Sequence, residues 1–220
     1  MHKICEPSIL YFGTPVVLIS TLNEDGSHNL APMSSVFWLG WHCLLGLGTN
    51  SKTSQNLIRT GECVINLPSI QEVSAVDRLA LTTGSSPVPE RKRLRGYRFE
   101  PDKFGTAKLT PVASLAVGSQ RALECPVQLE AIVESFRDIA EKNPGDRGKF
   151  ICFDMRIRLV HVEESILVNG EPNQIDPDKW RPLIMSFQKF YGLGGQVSSS
   201  RLSQIPESMY RSPDEASEVL

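Results

Sequence analysis

The sequence predicts a mainly β protein with a few helices, arranged as a small antiparallel barrel with a C-terminal extension. Three observations carry that expectation. Residues 15–21 (PVVLIST) form a β-branched run that stops at the turn formers Asn23, Glu24, Asp25 and Gly26. Apolar and polar residues alternate over 125–134 and again over 151–159, the period of a sheet with one covered face. Only 52–60 and 70–81 carry helical spacing among many short strands, which favours a barrel over a sandwich or a parallel sheet.

In chain order, the strand 15–21 leads through its turn into 28–39, so the two form a hairpin. Within that second run, Asn29, Leu30, Ala31, Pro32, Met33, Ser34 and Ser35 place a proline and small residues in a strand. Backbone amides there can face a ligand instead of a neighbouring strand; the alternative is a plain bulge. An apolar, glycine-rich strand over 42–48 ends at Thr49, Asn50 and Ser51. A short helix follows, capped by Asn50 or Ser51 and closed by Gly61. Its opening turn gathers hydroxyls, amides and Lys52 where unpaired N–H groups and the helix dipole favour an anion; the competing reading is an ordinary cap. Residues 63–67 return to strand, and Ile70, Val73, Val76 and Leu79 give 70–81 the spacing of a second helix.

The stretch 82–105 carries prolines, glycines and the basic residues Arg91, Lys92, Arg93, Arg95 and Arg98, and reads as an exposed loop. It is either a solvated segment or a lid or anion contact over a pocket. In the strands that follow, Cys125, Val127, Leu129, Ala131 and Val133 face the core while Gln128, Glu130 and Glu134 face away. The partner strand over 151–159 pairs with it across a turn at Asn143, Pro144, Gly145 and Asp146. From Asn169 the chain is proline-rich and polar, with Trp180, Phe187, Phe190 and Tyr191 needing a surface to pack on. The expected division is therefore a barrel domain over 1–168 and an extension over 169–220.

Composition narrows the function. Apolar residues are 40% and charged ones 22%, values of a folded soluble domain. Lys plus Arg number 23 against 25 Asp plus Glu, a net charge of −2, which gives no global field for nucleic acid or an anionic membrane. Neither is expected as a partner, and no apolar run approaches the ~20 residues of a spanning helix. The five cysteines form no C-x-x-C pair, and the start lacks a basic segment followed by an apolar core, so reduced thiols in a cytoplasmic protein are expected. His161 with Glu163 and Glu164 comes nearest to a metal cluster, but neighbours on one strand point to opposite faces, so no metal site is assigned. His42 and Cys43 face apart for the same reason. No catalytic acid, base or nucleophile is assigned.

Taken together, the order T-x-N-x-D-G-x-x-N-L-A-P-M-S-S-V, an apolar strand, then S-K-T-S-Q-N-L-I-R-T-G-E-C-V-I-N-L-P resembles the flavin reductase-like family of FMN-binding split barrels. The likeness is close over 15–81 and continues through Glu124, Cys125 and Pro126 to His161. The tail, with 175–183 (IDPDKWRPL) and 190–194 (FYGLG), is similar to that of the longer, flavoredoxin-like branch. The resemblance implies an FMN-binding split β-barrel and an FMN-dependent oxidoreductase in which hydride arrives at flavin N5, with FMN preferred over FAD. It places the FMN phosphate on Ser34, Ser35, Ser51, Lys52 and Thr53, with Asn56 close behind, and the isoalloxazine edge along Asn29, Ala31, Pro32 and Met33. It also implies a homodimer, and a small-molecule substrate or redox partner. Short reductases of the family carry G-D-H before a late strand, whereas here Phe150, Ile151, Cys152, Phe153 and Asp154 stand there and His161 comes later. NAD(P)H as co-substrate therefore rests on the family and not on a motif in this chain. The alternatives are a flavin-binding electron carrier without NAD(P)H activity and an enzyme acting directly on an organic substrate.

Overall fold

The computed structural model describes residues 1–210, so 211–220 of the expected extension lie outside the described residues. The chain begins with β1 (Phe12–Pro15), β2 (Val17–Leu22), β3 (His28–Met33), β4 (Val36–Leu39) and β5 (His42–Gly48), then α1 (Lys52–Thr60) and β6 (Glu62–Leu67). A 3₁₀ turn at Ile70–Glu72 runs into α2 (Val73–Leu79). Short elements follow: β7 (Thr82–Thr83), α3 (Glu90–Arg93), β8 (Arg98–Phe99), α4 (Lys103–Ala107), β9 (Pro111–Val112) and β10 (Arg121–Ala122). The long strands β11 (Val127–Ile139) and β12 (Phe150–Val162) precede β13 (Leu167–Val168), β14 (Glu171–Ile175), β15 (Ile184–Ser186) and β16 (Lys189–Tyr191).

Seven strands make one antiparallel sheet in the order β3-β2-β6-β11-β12-β5-β4. The two edge strands, β3 and β4, are consecutive in sequence and separated only by Ser34 and Ser35. A link of that length can join opposite edges only if the sheet rolls until the edges meet at one end, which makes a split β-barrel. The run 28–39 is therefore not one interrupted strand but two, on either side of the seam.

Inside the barrel lie Val17, Ile19, Leu45, Leu47, Ile65, Leu129, Ile151, Phe153 and Met155, alternate residues of neighbouring strands. A second core on the outer side joins Val16, Leu18 and Leu30 to Val76 and Leu79 of α2, Phe104 of α4 and Leu183 of the tail. Strand β2 is buried on both faces, which is why Val17, Leu18 and Ile19 are apolar without alternation and Ser20 and Thr21 after them are buried too. Cys43, Cys63 and Cys125 are buried thiols, and burial pushes Cys43 up to about 12.

Two expectations need correcting. The segment 82–105 is not one exposed loop: it folds into β7, α3, β8 and the start of α4, with Thr82, Thr83, Lys103 and Phe104 buried. Elements of two to five residues are too short to show a period, so the prolines and glycines between them dominate the sequence signal. The polar face of β11 is not solvated either, because Gln128 and Glu130 are buried beneath residues 113–123. Glu130 accepts from the N–H groups of Leu115 (2.9 Å) and Ala116 (2.5 Å), and Gln128 donates to the carbonyls of Ala122 (3.0 Å) and Cys125 (2.9 Å).

The tail through Phe190 packs against the barrel, while 191–210 are exposed. β15 pairs with β1 and β16, and the Val16 N–H donates to the Leu183 carbonyl at 2.8 Å. Trp180 packs on the barrel core and Phe190 on the outer core, while Phe187 meets Phe12 edge to face with centroids 5.1 Å apart. Among the described residues no helix is long and apolar enough to cross a membrane.

Candidate functional site

The first helix opens against the β2–β3 hairpin. Ser51 is its N-cap, in extended conformation, with Oγ accepting from the Ser54 N–H at 3.1 Å; Gly61 closes it at φ 72°, a left-handed geometry that favours glycine. The N–H groups of Lys52 and Thr53 fall in the first turn, where no preceding carbonyl can accept them. Buried amides fix the helix to the hairpin. Asn29 Nδ2 donates to Thr53 Oγ1 at 3.2 Å, and Asn56 Nδ2 donates to Thr21 Oγ1 at 3.0 Å and Asn23 Oδ1 at 2.8 Å.

In front of this junction lies a half-open cleft of about 210 Å³. Asn29 and Lys52 line it from the barrel, the turn residues Asn23, Glu24, Asp25 and Ser27 form its rim, and Gly84, Phe99, Glu100 and Lys103 close it from the 82–107 segment. A glycine is needed at 84 because a Cβ there would stand 2.6 Å from Asn29 Oδ1 and 3.1 Å from Lys52 Cγ. Asn29 Oδ1 is buried and has no hydrogen-bond partner. An amide oxygen in that state points to a donor the protein itself does not supply.

The charges of the cleft are unevenly matched. Lys52 Nζ meets Glu24 Oε2 at 2.5 Å, and that hydrogen bond, with backbone help, holds the Glu24 carboxyl below its ordinary range. Arg98 meets Glu100 at 2.6 Å and does the same to it. Asp25 accepts from the N–H and hydroxyl of Ser27. Lys103 is only 2% exposed, and its ammonium donates to the Leu30 carbonyl at 3.3 Å; no ion pair reaches it among the described residues. Burial, then repulsion from Lys92 and Arg98, pushes it down to about 8 against the pull of Glu100.

Of the residues assigned from sequence, Asn29 and Lys52 line this cleft; Thr53 is buried against Asn29, Ser51 caps α1 and Asn56 is buried on it. The hydroxyl of Ser51 is engaged in capping, and the amide nitrogen of Asn56 is spent on the hairpin. Ala31, Pro32, Met33, Ser34 and Ser35 run from the cleft along β3 to the barrel seam. There the Ser35 carbonyl accepts from the Gly46 N–H at 2.9 Å, and Ser35 Oγ lies 3.0 Å from the Tyr11 hydroxyl. All five are half-buried, so this free edge keeps a surface toward solvent. Gly84, Phe99, Glu100 and Lys103 escape sequence reasoning, because nothing in a polar, proline-rich segment tells which residue will be buried. His161 lies elsewhere, its Nε2 2.7 Å from Glu130 Oε1, and no group of three His, Cys, Asp or Glu among the described residues could hold a metal ion.

Residues 9–194 match the model of the flavin reductase like domain. The uncharacterized protein YdfE of Bacillus subtilis (strain 168) is 38% identical over 202 residues, covering 92% of this chain and 94% of its own. In fold, the chain is similar to the flavoredoxin of Desulfovibrio vulgaris (Miyazaki F), with a TM-score of 0.73 and 20% identity over 93% of this chain and 100% of that one. It is also similar to nitrilotriacetate monooxygenase component B from Bacillus cereus, with a TM-score of 0.68 and 20% identity over 87% of this chain and 89% of that one.

Proposed function

The chain belongs to the flavin reductase-like domain family, and from that premise we propose that it is an FMN-dependent oxidoreductase of the NAD(P)H:flavin reductase kind. The observation that carries the FMN assignment is the cleft: the open first turn of α1, Lys52 and the unpartnered buried oxygen of Asn29 meet beside a glycine where any side chain would clash. These residues fit the phosphorylated end of a flavin. A first-turn amide and an ammonium suit an anion, and an orphan amide oxygen suits a hydroxyl donor.

A flavin held there would supply the redox chemistry, with hydride transfer at N5. The protein's part is position and charge. Lys52, released from Glu24, neutralises phosphate together with the N–H groups of Lys52 and Thr53. Ser34 and Ser35 add hydroxyls at the seam. The half-buried edge of β3 from Ala31 to Met33, next to the buried Asn29, offers backbone donors and acceptors along the flavin ring, and Ser51 and Asn56 hold α1 in register. We read the assembly as a homodimer, because Phe37 and Leu39 on edge strand β4 are 51% and 67% exposed. Light scattering of the purified protein should give twice the chain mass.

An absorbance spectrum with added FMN, followed anaerobically by NADH and then NADPH, tests the reading. Perturbed flavin bands that bleach with one nucleotide are expected. Free-flavin bands unchanged by the protein would reject it. A bound flavin that stays oxidised with both nucleotides would favour an electron carrier or an enzyme with its own organic donor, for which the exposed Arg91 and Arg95 offer a charged encounter surface.

A further inference from the structure

The 82–107 segment contributes to the cleft a group that its family likeness does not assign. Lys103 is carried on the first turn of α4 and is almost wholly buried, yet only one of its three ammonium donors has a partner, a carbonyl at 3.3 Å. A buried charge is costly unless an opposite charge meets it. Every carboxylate lining the cleft is already engaged: Glu24 with Lys52, Glu100 with Arg98, Asp25 with Ser27. Asn29 lines the same cleft, and its Oδ1 is a buried acceptor without a donor. The cleft thus lacks an anion at one point and a hydroxyl donor at another. A phosphorylated polyol supplies both, and neither a neutral ring nor a free carboxylate does.

We infer that Lys103 is a second cation of the phosphate site, so that the cleft takes the phosphorylated ribityl end of the flavin between Lys103 and Lys52. This rests on the flavin reading above and extends it to a residue that acts on the phosphate and not on the ring. The cleft, about 210 Å³ and open on one side, takes the phosphate and polyol end, with the ring leading out of it toward the β3 edge.

The test is a fluorescence titration of wild type and Lys103→Met with FMN and, separately, with riboflavin, which lacks the phosphate. Loss of a charge-assisted contact should weaken FMN binding about 10- to 100-fold and leave riboflavin within about twofold. Lys103→Gln, which keeps a donor for the Leu30 carbonyl but no charge, should show the same FMN-specific loss, and guards against a folding defect in the methionine variant. Equal weakening of both ligands, or FMN affinity unchanged in either variant, overturns the role of Lys103 while leaving the flavin reading intact. A wild type that binds neither ligand overturns the flavin reading and this inference with it.

Discussion

Replacing Lys103 by methionine should make the ligand-free protein more stable. An ordinary lysine titrates at 10.5, and burial, with Lys92 and Arg98 adding repulsion, brings Lys103 to about 8. At about 1.4 kcal/mol per pH unit, holding that charge in place costs the folded state about 3 kcal/mol below pH 8. Methionine fills a similar volume without charge, and gives up one long hydrogen bond to the Leu30 carbonyl, worth about 1 kcal/mol. The net expectation is a gain of about 2 kcal/mol at pH 7, read by urea denaturation without flavin. The pH dependence follows from the same numbers. Between about 8 and 10.5 the unfolded chain holds the proton and the folded one has shed it, so wild-type stability rises with pH across that window. The variant should lack that rise. A methionine variant less stable than wild type by more than about 1 kcal/mol, with the wild type flat from pH 8 to 10.5, would show that the ammonium is already well satisfied and refute the reasoning.

Three further outcomes are expected. Ser51→Ala removes the side-chain cap of α1 and should lower stability by about 1 kcal/mol, visible as a fall in Tm. Gly84→Ala drives a methyl against Asn29 Oδ1 and Lys52 Cγ, so FMN affinity should drop at least about tenfold while overpacking costs about 1–3 kcal/mol, both measurable on one preparation by titration and melting. Glu130 is buried, which alone would raise it, but the N–H groups of Leu115 and Ala116 and the ring of His161 hold it below 4.5. Its contribution to stability is therefore present above that value and lost as pH falls through the depressed one. Glu130→Gln should cost about 1–3 kcal/mol at pH 7 and show a shallower acid limb below pH 4.5 in urea titrations.

Much of the barrel was legible because long elements announce their period. The alternation of β11 and β12, the cap and stop of α1 at Ser51 and Gly61, and the turn after β2 all appear in the sequence and in the structure. The split of 28–39 was half legible: Pro32, Ser34 and Ser35 mark a break, but only the strand order reveals that its two sides are opposite edges of one sheet. Other features carry no local signal. The β15–β16 hairpin turns through Phe187 and Gln188, both at positive φ, where a glycine or asparagine would have been the cue. Glu130 looks solvent-facing by its period and is buried only because the irregular stretch 113–123, just before β11, folds back over it. The same holds at the cleft, where Asn29 and Lys52 stand in readable motifs while Lys103 becomes part of the site through tertiary packing alone.

The pairing of β1 with β15 sets the order in which a growing chain can finish folding. Val16, on the outer core, takes its backbone partner from Leu183, and that leucine is itself among the most buried residues of the same core. Until Leu183 is made, α2 and α4 can cover the outer face of β2 but leave the place of that leucine open. At roughly 5–20 residues per second, the interval between synthesis of these two residues is on the order of ten seconds or more. Throughout it the Val16 N–H and one gap in the outer core wait for a partner, so this corner of the barrel closes after the rest.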